Sequence, residues 1–182
     1  MGALSGKNGL VVGIANKRSL AWAIAKAADE AGARLTLSYA TERFESNTRK
    51  LADTLTRPTH IVECDVTDDQ AIVDLCRQVD EEFEGIDFLV HAPAFASRES
   101  LANPFLQTSR GDFAQSLDIS AYSLPALACR VAPLMQRRGG GSIVTLTYLG
   151  SERVVPHYNV MGVAKAALEA SVRYLAADLG PQ

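Results

Sequence analysis

Leu10-Val-Val-Gly13-Ile-Ala-Asn-Lys-Arg-Ser19-Leu-Ala-Trp-Ala-Ile-Ala-Lys-Ala-Ala-Asp-Glu-Ala31-Gly32-Ala-Arg34-Leu-Thr-Leu-Ser-Tyr39 decides the fold class. The apolar run Leu10–Val12 ends at Gly13 and reads as a short buried strand. Ser19 is a favoured helix N-cap, the alanine-rich segment from Leu20 to Ala31 is a good helix former, and Gly32 is a natural C-cap. Arg34–Tyr39 is a second strand rich in β-formers. A strand, a loop, a helix and a second strand in this order form a βαβ unit with a parallel strand pair.

The same alternation continues outward. A polar helix is predicted over 41–55, a third strand over His60–Asp65 and a helix over Asp68–Phe83, with apolar residues at Ile72, Val73, Leu75, Cys76, Val79 and Phe83. Ile86–His91 reads as a fourth strand, followed by an irregular segment from Ala92 to Gln107. A long helix over Gly111–Arg137 is apolar on most of its surface, with a bend expected at Pro125. Such a helix is buried on more than one side, which suggests subunit packing. After the turn at Gly139-Gly140-Gly141, Ile143–Thr147 is a fifth strand. A last helix over His157–Leu179 carries an apolar stripe at Val160, Val163, Ala164, Ala167, Leu168, Val172, Leu175 and Leu179. No repeat, low-complexity tract or linker interrupts residues 1–182. The expectation is one Rossmann-like α/β domain, a doubly wound parallel sheet in the order 3-2-1-4-5 with helices on both faces.

Bulk properties exclude several classes. The 182 residues are enough for a sizeable core, and the composition, 47% hydrophobic and 21% charged, is that of a globular protein. A net charge of −3 with dispersed Lys and Arg gives no electrostatic footprint for nucleic acid. Cys64, Cys76 and Cys129 are odd in number and lack C-x-x-C spacing, which suits a reducing compartment and supports neither a disulfide framework nor a metal site. No signal sequence or membrane span is read, so the expected location is cytoplasmic.

In a doubly wound sheet, ligands bind at the carboxyl ends of the strands, and a dinucleotide pyrophosphate sits at the N-terminus of the first helix. The usual G-x-G-x-x-G is absent, because no glycine follows Gly13 until Gly32. Ser19 can act as a plain N-cap, or can also offer its hydroxyl and the Leu20 N–H to a pyrophosphate. The acidic residue that binds the ribose diol in NAD sites is missing after the second strand, where Ala40 stands, so no charge selects NADH over NADPH. Asp65, before Val66, can accept from an adenine amino group or belong to the start of the next helix.

Tyr148, Tyr158 and Lys165 form the other candidate site. If Tyr158 and Lys165 share a helix, seven residues turn through about 700°, within ~20° of two full turns, so the two face the same way about 10.5 Å apart. A phenol and an ammonium on one face suit a reduction site. Lys165 lies in a small, apolar run and needs an anionic or hydroxyl partner.

Tyr148, the Tyr158-x6-Lys165 interval and the run Tyr158-Asn-Val-Met-Gly-Val-Ala-Lys165-Ala-Ala-Leu-Glu-Ala closely resemble the NADH-dependent enoyl-acyl carrier protein reductases of bacterial fatty acid synthesis, in the short-chain dehydrogenase/reductase superfamily. The resemblance extends to Leu4-Ser-Gly-Lys7, Gly13…Ser19-Leu20-Ala21, Cys64-Asp65-Val66, Leu89-Val90-His91-Ala92 and Asp118-Ile119-Ser120-Ala121-Tyr122-Ser123, and so covers the chain. It implies that Tyr158 hydrogen-bonds the thioester oxygen of a trans-2-enoyl group on acyl carrier protein. Lys165 would hold the nicotinamide ribose and support proton delivery, and Tyr148 would line the pocket. Gly13, Ser19, Leu20, Ala40, Asp65, Val66, Pro93, Ile119 and Lys165 would occupy cofactor positions, and Ala96 a substrate position. A homotetramer is also implied, as are C-terminal strands and a substrate lid that these 182 residues lack. Ala40 replaces a frequent Gln, and Ala92-Pro93-Ala94 replaces a Ser-Ile-Gly-like run. Ketone-reducing short-chain dehydrogenases place a Lys four residues after the Tyr, where this chain has Gly162. That alternative, and a catalytically incomplete nucleotide-binding or assembly module, are the rival readings.

Overall fold

The computed structural model describes residues 2–182. Five parallel strands, β1 (Asn8–Val12), β2 (Arg34–Tyr39), β3 (His60–Glu63), β4 (Phe88–His91) and β5 (Ser142–Thr145), form one sheet in the order β3-β2-β1-β4-β5. This is the expected doubly wound, Rossmann-like arrangement. The helices are α1 (Leu20–Glu30), α2 (Glu45–Ala52), α3 (Asp69–Phe83), α4 (Arg98–Ala102), α5 (Arg110–Leu117), α6 (Ser123–Arg137) and α7 (Val160–Leu179). The chain divides into two compact units. One contains the chain up to Ala92 with Cys129–Thr145 and Gln182, and the other contains Pro93–Ala128 with Leu146–Pro181.

The first unit holds the whole sheet. All five residues of β1 are buried, as a strand with neighbours on both sides requires. Ala21, Trp22, Ala25 and Ala28 of α1 pack with Val11, Leu35, Leu37 and Val90 in one core cluster. Small residues at the helical repeat let α1 lie close to the strands. Ile72, Leu75, Cys76, Val79 and Phe83 form the buried face of α3, and Glu84 ends that helix in the left-handed conformation at φ 56°. Burial pushes the Cys64 thiol up to about 12 and the Cys76 thiol up to about 11, so both are inert apolar fillers at neutral pH.

A charged junction ties the amino-terminal edge of this unit. The Asp87 carboxylate accepts from the Lys7 ammonium at 2.8 Å, the Asn8 N–H at 2.9 Å and the Arg138 guanidinium at 3.0 Å. Burial alone would raise the Asp87 carboxyl. The Lys7, Asn8 and Arg138 donors together outweigh it and hold the group below its ordinary 3.8.

The helix expected over Gly111–Arg137 is broken. Asp118–Tyr122 forms a π-turn between α5 and α6, in which the Ser123 N–H reaches back five residues to the Asp118 carbonyl. Pro125 lies just beyond, inside the first turn of α6. Proline has no N–H to give to the preceding turn, so the ladder is rearranged directly upstream of it. The segment expected to be irregular contains α4 and a 3₁₀ turn at Phe105–Gln107, with Ser97 capping α4 through the Ser100 N–H.

The last helix begins at Val160, later than the expected His157. Tyr158 therefore precedes the helix and does not share a helical face with Lys165, contrary to the expectation from their spacing. Asn159 breaks the helix, with φ 42° and ψ −120°, a backbone conformation that no α-helix contains.

Candidate active site

Gly13 follows β1 with φ 99°, a conformation favourable to glycine alone, and leads into the loop before α1. Asn16 organises that loop: its side-chain oxygen accepts from the Arg18 N–H at 2.8 Å, and its carbonyl accepts from the Ser19 N–H at 3.0 Å. The Ser19 hydroxyl donates to the Asn16 carbonyl at 2.8 Å and accepts from the Trp22 N–H at 3.3 Å. Ser19 is thus an N-cap whose hydrogen is already engaged within the loop. Leu20, the first residue of α1, is 67% exposed.

Ala40 follows β2 and is exposed, with no charge to offer a ribose. Asp65 and the buried Val66 follow β3. The Asp65 carboxylate accepts from both the N–H and the hydroxyl of Thr67, at 2.9 and 2.8 Å, while Asp68 caps α3 through the Gln70 N–H. Asp65 therefore shapes its own turn and is separate from the helix cap. Gly13, Ser19, Leu20, Ala40, Asp65 and Val66 all lie beyond the carboxyl ends of β1, β2 and β3, the end of a parallel sheet at which ligands bind.

The second unit gathers the three chemistry-bearing residues on one segment, Leu146–Gly150. Lys165 is buried within α7, and its ammonium donates to the Leu146 carbonyl at 2.7 Å. This bond uses one of three ammonium donors. Burial pulls the Lys165 pKa below its ordinary 10.5. Tyr148, half exposed, meets the Tyr158 ring edge-on, with centroids 4.8 Å apart and ring planes 64° to one another. Burial, with a smaller contribution from Tyr148, pushes the Tyr158 phenol above its ordinary 10.0. At neutral pH the phenol is a neutral O–H donor. Thr147 within this segment and Ser151 just after it both donate to Glu169 of α7, at 2.5 and 2.6 Å.

Two glycines that composition alone does not single out shape the tyrosine's seat. A β-carbon on Gly150 would lie 2.3 Å from Cδ1 of Tyr158, so the ring rests directly on the glycine backbone. A β-carbon on Gly162 would lie 2.7 Å from the Gly150 carbonyl oxygen. Gly162 is the position at which a ketone-type enzyme carries its lysine, and no side chain fits there without displacing this backbone. The ammonium at Lys165 is the one the fold accommodates.

Pro93 is buried and Ala96 partly buried, in the segment that follows β4. Ile119 lies in the π-turn, beside Ser120. The Ser120 hydroxyl accepts from the Phe95 N–H at 3.0 Å, which ties the Pro93–Ala96 segment to the π-turn that carries Ile119. Gly162 stood out in the sequence only as the place where a ketone-type lysine is missing, and Gly150 and Ser120 carried no signal of these contacts.

A family model described as Enoyl-(Acyl carrier protein) reductase matches residues 13–182. The chain belongs to this family. Enoyl-(acyl-carrier-protein) reductase (NADH) FabI of Bacillus subtilis (strain 168) is 50% identical over 181 residues, covering 99% of this chain and 69% of that protein. Enoyl-(acyl-carrier-protein) reductase (NADH) 1 of Rhizobium meliloti (strain 1021) is 50% identical over 179 residues, 98% of this chain and 65% of that protein. The chain thus spans about two thirds of the length of these reductases. Among solved structures, the Anaplasma phagocytophilum reductase in complex with NAD superimposes with a TM-score of 0.94 at 47% identity, covering 100% of this chain and 68% of the other. The Bacillus cereus enoyl-acyl carrier protein reductase with NADP+ and indole naphthyridinone gives a TM-score of 0.96 at 49% identity, covering 100% and 70%. Among the described residues, no helix is long and apolar enough to cross a membrane.

Proposed function

We propose that this chain carries the cofactor-binding and catalytic residues of an NADH-dependent enoyl-acyl carrier protein reductase, which saturates the trans-2 double bond of an acyl chain during fatty acid synthesis. The observation that carries the reading is the seating of Tyr158 and Lys165 on one segment, with Gly162 leaving no room for a ketone-type lysine.

Several residues suit parts of a dinucleotide. The glycine at φ 99° and the start of α1 suit a pyrophosphate, and Lys165 is a buried ammonium with one protein carbonyl for a partner and donors to spare for ribose hydroxyls. Asp65 and Val66 would meet the adenine, Ala40 the adenosine ribose, and Pro93 and Ile119 the nicotinamide end. Ala40 brings no charge against a 2′-phosphate, so the preference for NADH over NADPH rests on the names of the relatives, and the B. cereus structure contains NADP+.

When bound, NADH supplies hydride for the β-carbon of the enoyl thioester. The protein's task is to stabilise the charge that then grows on the thioester oxygen. Tyr158 directs a neutral phenol O–H to that oxygen, an interaction stronger in the transition state than in the ground state. Its raised pKa keeps the proton on the phenol across the neutral range. Lys165 holds the ribose and supplies positive charge in a dry setting, where it counts for more than in water. The exposed Tyr148 ring and Ala96 line the acyl side.

Val163, Val172 and Tyr174 of α7 and Tyr122 of the π-turn are exposed apolar residues that a partner copy would cover, so the reading includes a homo-oligomer, a tetramer by analogy with the family. A cytoplasmic location follows from the same reading. The test is NADH consumption with a trans-2-enoyl thioester set against a 3-ketoacyl thioester of equal length. Consumption with the enoyl substrate alone is expected; preference for the ketone would sink the proposal. NADH binding with neither substrate consumed would favour an incomplete nucleotide-binding module.

A further inference from the structure

Asn159 stands next to Tyr158 and is strained. Its φ of 42° and ψ of −120° lie in a region that non-glycine residues rarely occupy, and such conformations persist only where the surroundings hold them. The surroundings are visible. The Asn159 side-chain amide donates to the carbonyls of Ser100 at 3.0 Å, Leu101 at 3.3 Å and Asn103 at 2.9 Å. The amide has two hydrogens, so the longest of these contacts is shared. The carbonyls belong to the last turn of α4 and the residues after it, groups that a helix end leaves without intrahelical partners.

The backbone on either side is also fastened. The Tyr158 N–H donates to the Val155 carbonyl at 3.1 Å, the Tyr158 carbonyl accepts from the Met161 N–H at 2.9 Å, and the Asn159 carbonyl accepts from the Gly162 N–H at 2.9 Å. Tyr158 is thus carried on a tight turn that the Asn159 amide links to 100–103. That stretch begins four residues beyond Ala96 in the same unit. Glycine at 159 would adopt this backbone at less cost, so the retained strain points to a task for the side chain.

We propose that Asn159 is a positioning residue: its amide clamps the end of α4 to the Tyr158 turn and so fixes the phenol relative to the segment carrying Ala96. This rests on the reading of Tyr158 as the group that meets the thioester oxygen. It does not require Asn159 to touch substrate or cofactor.

The test uses Asn159→Ala and Asn159→Gly in the full chain, each alone and with Tyr158→Phe. Glycine keeps the backbone accessible and removes only the amide, so it guards against a variant that fails to fold. Both single variants should lower kcat by about 10- to 100-fold, the scale of a misplaced catalytic group, with the NADH Kd changed less than about threefold. In the Tyr158→Phe background neither should cost anything further, because there is no hydroxyl left to misplace. A glycine variant with wild-type kcat would overturn the proposal, and so would equal losses in both backgrounds, which mark a general structural defect. Amide exchange at 100–103 and the Tyr158 ring resonances give a readout that needs no turnover. Both should change in Asn159→Gly, and unchanged ring resonances would refute the clamp even if the wild-type chain reduced no enoyl thioester, a result that would count separately against the proposed function.

Discussion

The ring of Tyr158 lies against the backbone of Gly150 so closely that a β-carbon at 150 would sit 2.3 Å from Cδ1 and 2.8 Å from Cε1. The ring is therefore seated against a residue with no side chain, and it also meets the Tyr148 ring in a T-shaped contact. Gly150→Ala should displace the ring and lower kcat at least about 10-fold. The accompanying loss of stability should be about 1–3 kcal/mol, the usual cost of overpacking. Steady-state kinetics with a thermal melt measures both, and an alanine variant of unchanged kcat would contradict this account of the tyrosine's seat.

Gly162→Lys, which installs the ketone-type spacing after Tyr158, should not gain ketone reduction. Its β-carbon meets the Gly150 carbonyl at 2.7 Å, so the backbone beneath Tyr158 must move. Loss of enoyl-thioester reduction together with a lowered Tm is expected. Folded protein with new 3-ketoacyl activity would show that spacing alone sets the chemistry.

Lys165→Met should weaken NADH binding by about 10- to 100-fold, the scale of losing charge-assisted hydrogen bonds. Wild-type affinity should also fall as the pH rises through the Lys165 pKa, which burial places below 10.5, because ribose contacts need the ammonium. The methionine variant should bind weakly without that alkaline limb. The sign for stability is the reverse. Burying the ammonium is a cost at every pH below its folded pKa, and deprotonation relieves it as the pH climbs towards 10.5. Fluorescence titration of NADH across pH tests the binding claim; an identical limb in the variant would remove Lys165 from it.

Asp87→Asn should destabilise the chain by about 2–4 kcal/mol at neutral pH, since Lys7 and Arg138 lose the charge they share. In the wild type the folded-state pKa of Asp87 is below 3.8, so its contribution is fully present above that value. It is lost as the pH falls through the folded pKa. A melt series through the acid range should show this decline shallower in the variant, and parallel curves would argue against it.

Periodicity and capping carried the architecture far because β2, α1 and α3 are closed by local signals: Ser19 before α1, Gly32 after it, Asp68 before α3. The β2 boundaries, Arg34–Tyr39, match the expectation from sequence to the residue. β5 is shorter than expected because its pairing with β4 ends at His91 opposite Thr145. The helix expected over Gly111–Arg137 concealed a π-turn, since apolar periodicity records which residues face inward and not which carbonyl each N–H reaches. Tyr158 was placed inside a helix for a related reason: a positive φ at Asn159 leaves no periodic trace. The roles of Gly150 and Gly162 depend on how near the chain passes to itself, which only the folded geometry reveals.

In the proposed reaction the Tyr158 hydroxyl stabilises the charge that develops on the thioester oxygen as the carbon–carbon double bond is reduced. The most direct measurement is NADH consumption with a trans-2-enoyl thioester by the wild-type chain and by Tyr158→Phe, alongside the NADH Kd of each. Wild-type turnover, a kcat lowered by about 10²-fold or more in the phenylalanine variant and an unchanged Kd are expected, as for loss of one oxyanion donor. Equal kcat values in the two proteins would contradict it.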